Sequence, residues 1–283
     1  MSSLPVNVSH SPFLPAGLQD KRAAVLKHIA GSERLVSVRP ASQLEVRPRP
    51  EMLSTGISEL DAITDGIPRG CLSEIYGATS SGKTSVLLTT IANATRREES
   101  CVLIDASDSF DPRSGAAAGL NSNKLLWVRC SERNLSRKLQ TGARVSPNPI
   151  FIEARAPSPV LKLEQVLKAT DLILQSGGFG LVALDLGGIP SHFVRRIPLA
   201  SWFRFQRAVE HTKTALLVVS ELPCAQTCAA LVMKLCNKPS GKPTHTQILE
   251  GMRIEAEVVR SRLERKPAQS VTAFFRTQAV RAG

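Results

Sequence analysis

Residues 77–84 read Gly77-Ala78-Thr79-Ser80-Ser81-Gly82-Lys83-Thr84, two glycines with four residues between them, followed by lysine and threonine. Glycine at both ends lets the backbone curl so that successive N–H groups converge on one point, a concavity suited to phosphate oxygens. The helical pattern of Lys83–Arg96 adds the positive end of a helix dipole at that point. Lys83 can reach the β- and γ-phosphates of a nucleotide, and the Thr84 hydroxyl can ligate Mg²⁺. Ala78, Thr79, Ser80 and Ser81 supply the intervening amides, and Ser85 completes the set on the helix. LSEIY (72–76) before the loop reads as the strand such a cradle requires. ATP with Mg²⁺ is the expected ligand.

A cradle of this kind also needs an acid at the end of a neighbouring strand to hold the metal through water. LVALD (181–185) ends in Asp185, and CVLID (101–105) offers Asp105 as the rival. Both sit at strand carboxyl ends, where ligands of open α/β sheets bind.

The positioning elements follow from alternation along the chain. Apolar runs at 72–76, 101–105, 125–129, 181–185 and 215–220 alternate with helical patterns at 83–96, 161–175 and 199–210. Continuous apolar character in the runs predicts an α/β fold with a mostly parallel central sheet covered on both faces. LVMKLC (231–236), IEAEVVRSR (254–262) and VTAFFRT (271–277) are expected to extend that sheet with antiparallel strands. Leu18, Val25, Leu26 and Ile29 share one helical face near the N-terminus, and PASQLEVRPRP (40–50) reads as a linker. The expected organisation is an N-terminal helix and Pro-rich linker over 1–50, a nucleotide-binding core over 51–265, and a C-terminal strand and tail over 266–283.

Composition narrows the partners. The chain has 283 residues with 36 Lys+Arg against 24 Asp+Glu, a formal charge of +12, which favours an anionic partner such as nucleic acid. No apolar run approaches the ~20 residues of a membrane span, and the N-terminus lacks the order of a secretion signal. Six cysteines scattered partly through apolar runs suit a reducing cytoplasm. Cys224 and Cys228, with Cys236 and His245, have loose spacing for zinc, and Cys236 ends an apolar run; zinc is not expected.

STGISELDAITDGIPRGCLSEIYGATSSGKTS (54–85), with Ile104-Asp105-Ala106 and Asp111-Pro112 after it, resembles the RecA/RadA recombinase core. The resemblance implies a RecA-like P-loop fold and places Asp111 near the adenine. FDPRSGAAAGL (110–120), LLWVRC (125–130), 167–190, 196–232 and VVRSR (258–262) look most like the ImuA group, RecA-related accessory proteins of bacterial mutagenic translesion synthesis. That likeness implies a role in the SOS response, with RecA, an ImuB-like polymerase-related protein and an error-prone DNA polymerase as partners. It also implies that Arg260 and Arg262 occupy positions from which RecA-type subunits reach a neighbour's nucleotide, so homo-oligomers are one possible arrangement.

Two departures from the recombinase pattern bear on hydrolysis. Ser107 stands where recombinases carry the glutamate that activates water, and serine is no base at neutral pH without a partner. Glu221 stands where they carry a γ-phosphate-sensing glutamine; it repels phosphate unless a cation intervenes, or serves as a relocated base. Asp108 is the other replacement base. The loop at 222–230 is short for strand exchange. Arg195 and Arg196 (187–198 loop) are candidate contacts for single-stranded DNA, whereas Arg204 and Arg207 lie on a helix whose Trp202 and Phe205 share a buried face. The expected function is an ATP-binding accessory protein in DNA damage tolerance with weak or no hydrolysis. The alternative is a DNA-stimulated ATPase of the recombinase family using Lys83, Asp185 and Glu221.

Overall fold

The computed structural model describes residues 49–130, 159–238, 251–263 and 272–278, with the helical residues 21, 24, 25, 27 and 28. Residues 1–48 and 49–283 are separate compact units. In the first, Val25 is exposed, while Leu18, Leu26 and Ile29 of the expected helical face lie outside the described residues.

The second unit opens with β1 (Met52–Leu53), α1 (Ser58–Thr64) and β2 (Ile67–Pro68), the two strands pairing antiparallel. There follow β3 (Leu72–Tyr76), α2 (Lys83–Arg96), β4 (Cys101–Asp105), α3 (Pro112–Ala117) and β5 (Leu125–Arg129). Then come α4 (Pro159–Ser176), β6 (Leu181–Asp185), α5 (Ser191–Val194), α6 (Leu199–Val209) and β7 (Ala215–Ser220). The last strands are β8 (Ala229–Lys238), β9 (Gly251–Ser261) and β10 (Thr272–Gln278). The main sheet runs β10-β9-β8-β3-β7-β6-β4-β5. The five expected parallel strands fall at their expected positions, and α4 stops at Gly177 and Gly178, both at positive φ.

Both faces of the parallel part are covered, which is why its strands read as unbroken apolar runs. Val102, Ile104, Leu184 and Val218 point to the side of Val166 on α4 and Trp202 and Phe205 on α6. Leu103, Ala183, Leu217 and Val219 point to the side of Val86, Leu87 and Ile91 on α2. Trp202 and Phe205 are fully buried and meet edge to face at 6.0 Å, as their three-residue spacing predicts.

One strand departs from the sequence expectation. The segment around 231–236 is not an antiparallel extension: β8 lies parallel to β3, and the antiparallel pairs are β8–β9 and β9–β10. Residues 221–228 must therefore return from the carboxyl end of β7 to the start of β3 in a short stretch. Glu74, buried in the middle of β3, accepts from the Cys224 and Ala225 amides at 2.6 and 3.2 Å and pins the return. A carboxyl oxygen has the lone pairs to accept from two buried amides that no helix or strand would otherwise serve.

At the amino end of the parallel strands Arg69 is buried and ties several chain segments. Its guanidinium donates to the carbonyl oxygens of Gly180 (3.2 Å) and Lys213 (2.9 Å) and to both Glu99 carboxylate oxygens (2.9 and 2.8 Å). Removing one member of a buried pair leaves the other uncompensated, at a cost of about 3–5 kcal/mol. Arg69→Ala is expected to lower unfolding free energy by roughly 3 kcal/mol in urea titrations. Nucleotide affinity should stay unchanged, because the change lies at the amino end of the parallel strands.

Candidate nucleotide-binding site

The loop from Gly77 to Thr84 joins the carboxyl end of β3 to the first turn of α2. Gly82 precedes the helix at φ 89°, and Ser80 also has positive φ, at 60°. A Cβ on Gly77 would lie 2.3 Å from the Leu235 carbonyl oxygen, and one on Gly82 would lie 2.0 Å from Ile254 Cδ1. The outer strands β8 and β9 therefore form the wall of the loop, and glycine is required for two separate reasons, turning and close approach. Ala78, Thr79 and Ser80 are exposed at the crown, whereas Ser81 and Gly82 are buried. Ser81 Oγ is buried with no hydrogen-bond partner among the described residues, an orphaned polar atom inside the loop.

Lys83 turns its ammonium onto the loop, donating to the Gly77 carbonyl and to the Ala78 carbonyl, the latter at 2.8 Å. Burial lowers the pKa of this ammonium, while Glu221 and Asp185 oppose the shift. Thr84 is exposed and Ser85 half-buried. Both line a groove of about 640 Å³ with Leu88, Ser114, Phe275 and Arg276. A loop bounded by two glycines, a lysine, an exposed threonine and an acid at the strand end fit a magnesium-bound nucleoside triphosphate or diphosphate.

The two acids at the strand edge are register partners, Asp105 opposite Asp185, but their surroundings differ. Asp105 is buried and accepts from the Ser107, Ser109 and Phe110 amides (3.2, 3.2 and 2.9 Å) and from the Trp127 indole (3.3 Å). Its carboxylate is spent on folding the loop after β4. Asp185 accepts from the Gly187 amide at 2.8 Å. Its pKa is raised, chiefly by burial and also by Asp105, with Gly187 and Lys83 opposing. A carboxylate held partly against its own charge is one that gains from a cation.

The residues considered for water activation each have a partner within the chain. Ser107 Oγ donates to Ser109 Oγ at 3.0 Å, and Ser107 packs against the loop after Asp185 at Gly188. Asp108 takes a left-handed φ of 58° and accepts from both Arg129 Nε and Nη2, at 2.6 and 2.8 Å. Glu221 follows β7, the immediate neighbour of β3, and accepts from Thr79 Oγ1 at 3.4 Å.

Asp111 is exposed and caps α3, accepting from the Arg113 and Ser114 amides and from Ser114 Oγ. These bonds, the Ser114 hydroxyl first, hold its pKa below the ordinary value. It borders the Thr84–Ser85 groove through Ser114. Arg195 and Arg196 are exposed at the end of α5, whereas Arg204 pairs with Asp171 at 2.8 Å. Arg260 donates to the Gln226 carbonyl of its own chain, and Arg262 is exposed. Among the described residues no group of three His, Cys, Asp or Glu could hold a metal, and His245 lies outside them. Cys224 and Cys228 are buried free thiols, and burial raises the pKa of both. The sequence reading missed Glu74, Leu235, Ile254 and Phe275. They act across long stretches of chain, and their one local sign is an acid inside an otherwise apolar strand.

Residues 27–135 match the RecA N-terminal domain. The chain is 33% identical over 137 residues to protein RecA of Ectopseudomonas oleovorans, covering 48% of this chain and 31% of that protein. It is 30% identical over 170 residues to protein RecA of Rickettsia canadensis (59% and 41%), and 37% identical over 98 residues to that of Deinococcus radiodurans (34% and 26%). The matched part spans about a quarter to two fifths of the length of these relatives. With the observed sheet, these matches support a RecA-like core. No helix among the described residues is long and apolar enough to cross a membrane.

The contrast between the two acids gives opposite expectations. Asp105→Ala strands three amides and an indole and should cost roughly 3 kcal/mol of stability. Asp185 has a folded pKa above its unfolded one, so its contribution to stability falls as pH climbs through about 4. Asp185→Asn should therefore raise the melting temperature of nucleotide-free protein at pH 7, with the gain vanishing below about pH 4. A drop in melting temperature at pH 7 would refute the assignment of Asp185 as an uncompensated acid.

Proposed function

We propose that this protein is a RecA-like ATP-binding accessory factor in bacterial DNA damage tolerance, in which bound nucleotide orders subunit or partner contacts and is hydrolysed weakly or not at all. The observation that carries the reading is the division within the site. The phosphate loop carries its two glycines, lysine and threonine, while Ser107 is bonded to Ser109 and Asp108 to Arg129, and Glu221 meets the Thr79 hydroxyl at the loop crown.

In this reading Gly77 to Ser85 hold the phosphates through main-chain amides, with Lys83 swinging from its loop carbonyls onto the β- and γ-phosphates. Thr84 and Asp185 hold the magnesium, directly and through water, and Asp111 lies on the adenine side. When bound, Mg-ATP brings an anhydride whose charge the metal screens. The protein's part is to bind and orient it, and Ser107, bonded to Ser109, leaves water without a base at the position a glutamate would serve. Asp108 is committed to Arg129. Glu221 is the nearest carboxylate to the crown of the loop among these candidates and is the residue through which an ATPase reading would operate.

The cellular role extends from the RecA matches and the likeness to the ImuA group. The proposed partners are RecA, an ImuB-like polymerase-related protein and an error-prone DNA polymerase, in SOS-type translesion synthesis in the cytoplasm. Arg195 and Arg196 are the proposed contacts to single-stranded DNA. Arg260 and Arg262 are the proposed reach into a neighbour's nucleotide, for which Arg260 must leave the Gln226 carbonyl.

The test is phosphate release with and without single-stranded DNA, beside Mg-ATP binding, for wild type and Lys83→Ala. Wild type should bind Mg-ATP, Lys83→Ala should lose roughly tenfold or more in affinity (about 1.4 kcal/mol per decade), and release should be equally low in both. A DNA-stimulated release that disappears in Lys83→Ala would replace the accessory reading with an ATPase.

A further inference from the structure

The strand order brings a second carboxylate to the phosphate end of the site. β7 is hydrogen-bonded to β3 along its length, and the Gly77 amide donates to the Ser220 carbonyl at 3.3 Å. The residue after Ser220 is therefore held beside the first residue of the cradle. That residue is Glu221, whose Oε1 accepts from Thr79 Oγ1 at the exposed crown of the loop. One strand further along on the same side of β3, Asp185 ends β6. Lys83 feels both carboxylates.

A nucleotide laid into the cradle puts its inner phosphates against the amides of the loop and the start of α2. A third phosphate extends past Lys83 toward the strand ends, into the space beside Glu221 and Asp185. Asp185 can be screened there by the metal it would hold through water. Glu221 follows the neighbouring strand and bonds the loop crown, so its charge meets the terminal phosphate directly. Arg260 does not offset it within the chain, since its guanidinium is bonded to the Gln226 carbonyl. A diphosphate ends before this space and escapes the repulsion.

We infer that Glu221 makes this site selective for nucleoside diphosphate over triphosphate, so that an isolated chain is held by MgADP and accepts a triphosphate well when an added cation faces Glu221. The inference rests on the proposed nucleotide site and sets which nucleotide state that site retains. It gives the accessory role a direction, because a partner that brings a guanidinium or ammonium to Glu221 would convert the site from diphosphate to triphosphate binding.

Titration calorimetry with MgADP and with the non-hydrolysable β,γ-imido analogue of ATP, both in Mg²⁺, gives the ratio of the two affinities for wild type, Glu221→Gln and Glu221→Ala. Circular dichroism and melting curves establish that each variant is folded. Wild type should favour MgADP by about tenfold or more, and both substitutions should move the ratio toward the triphosphate by about tenfold. Two variants of different size guard against a local packing effect, since only loss of the carboxylate is common to both. An unchanged ratio in folded variants, or a wild-type preference for the triphosphate, would overturn the inference while leaving the nucleotide site intact. Absence of binding by either nucleotide would instead remove the site itself, and the inference with it.

Discussion

Turning a backbone so that consecutive amides face one point leaves no room for side chains on the outer wall of the turn. In this protein that wall is made by residues far away in sequence, the Leu235 carbonyl against Gly77 and the Ile254 side chain against Gly82. The cradle is therefore not a self-contained loop. It requires β8 beside β3, and β8 reaches that place because Glu74 holds the Cys224 and Ala225 amides as the chain returns from β7. One buried carboxylate in β3 thus underwrites both the parallel placement of β8 and the wall of the phosphate loop above it.

The same economy of acids governs the carboxyl edge of the sheet. Asp105 is neutralised structurally by three amides and an indole, and Asp108 by the Arg129 guanidinium. Asp185 is left under strain from its burial and from Asp105, and Glu221 faces the loop crown. Functional sites commonly hold such uncompensated charge at the expense of stability. Asp185 and Glu221 instead share the Lys83 ammonium, where a metal or a neighbouring subunit can supply further positive charge.

Much of this was legible in the amino-acid order. The phosphate loop combines a strict residue pattern with a strand before it and a helix after it, and β3, β4, β5, β6 and β7 are short apolar runs that only a doubly covered sheet accommodates. The buried face of α6 followed from the spacing of Trp202 and Phe205. What escaped was non-local. β8 has the composition of any edge-proximal strand, so its direction depends on Glu74, 150 residues earlier in the chain from its partner Cys224. The difference between Asp105 and Asp185 was equally invisible, since both end apolar runs; hydrogen bonds from the loop that follows decide it. The contact of Arg260 with the Gln226 carbonyl of the same chain was likewise not readable from the sequence.

The central physical claim is that the main-chain amides from Gly77 to Ser85 bind phosphate. Hydrogen–deuterium exchange over that segment, compared with and without saturating magnesium nucleotide, addresses those amides themselves. The account predicts slowed exchange concentrated in residues 77–85, with the Arg69 end of the sheet unaffected. Unchanged exchange across that segment in folded protein, with nucleotide present, would contradict it.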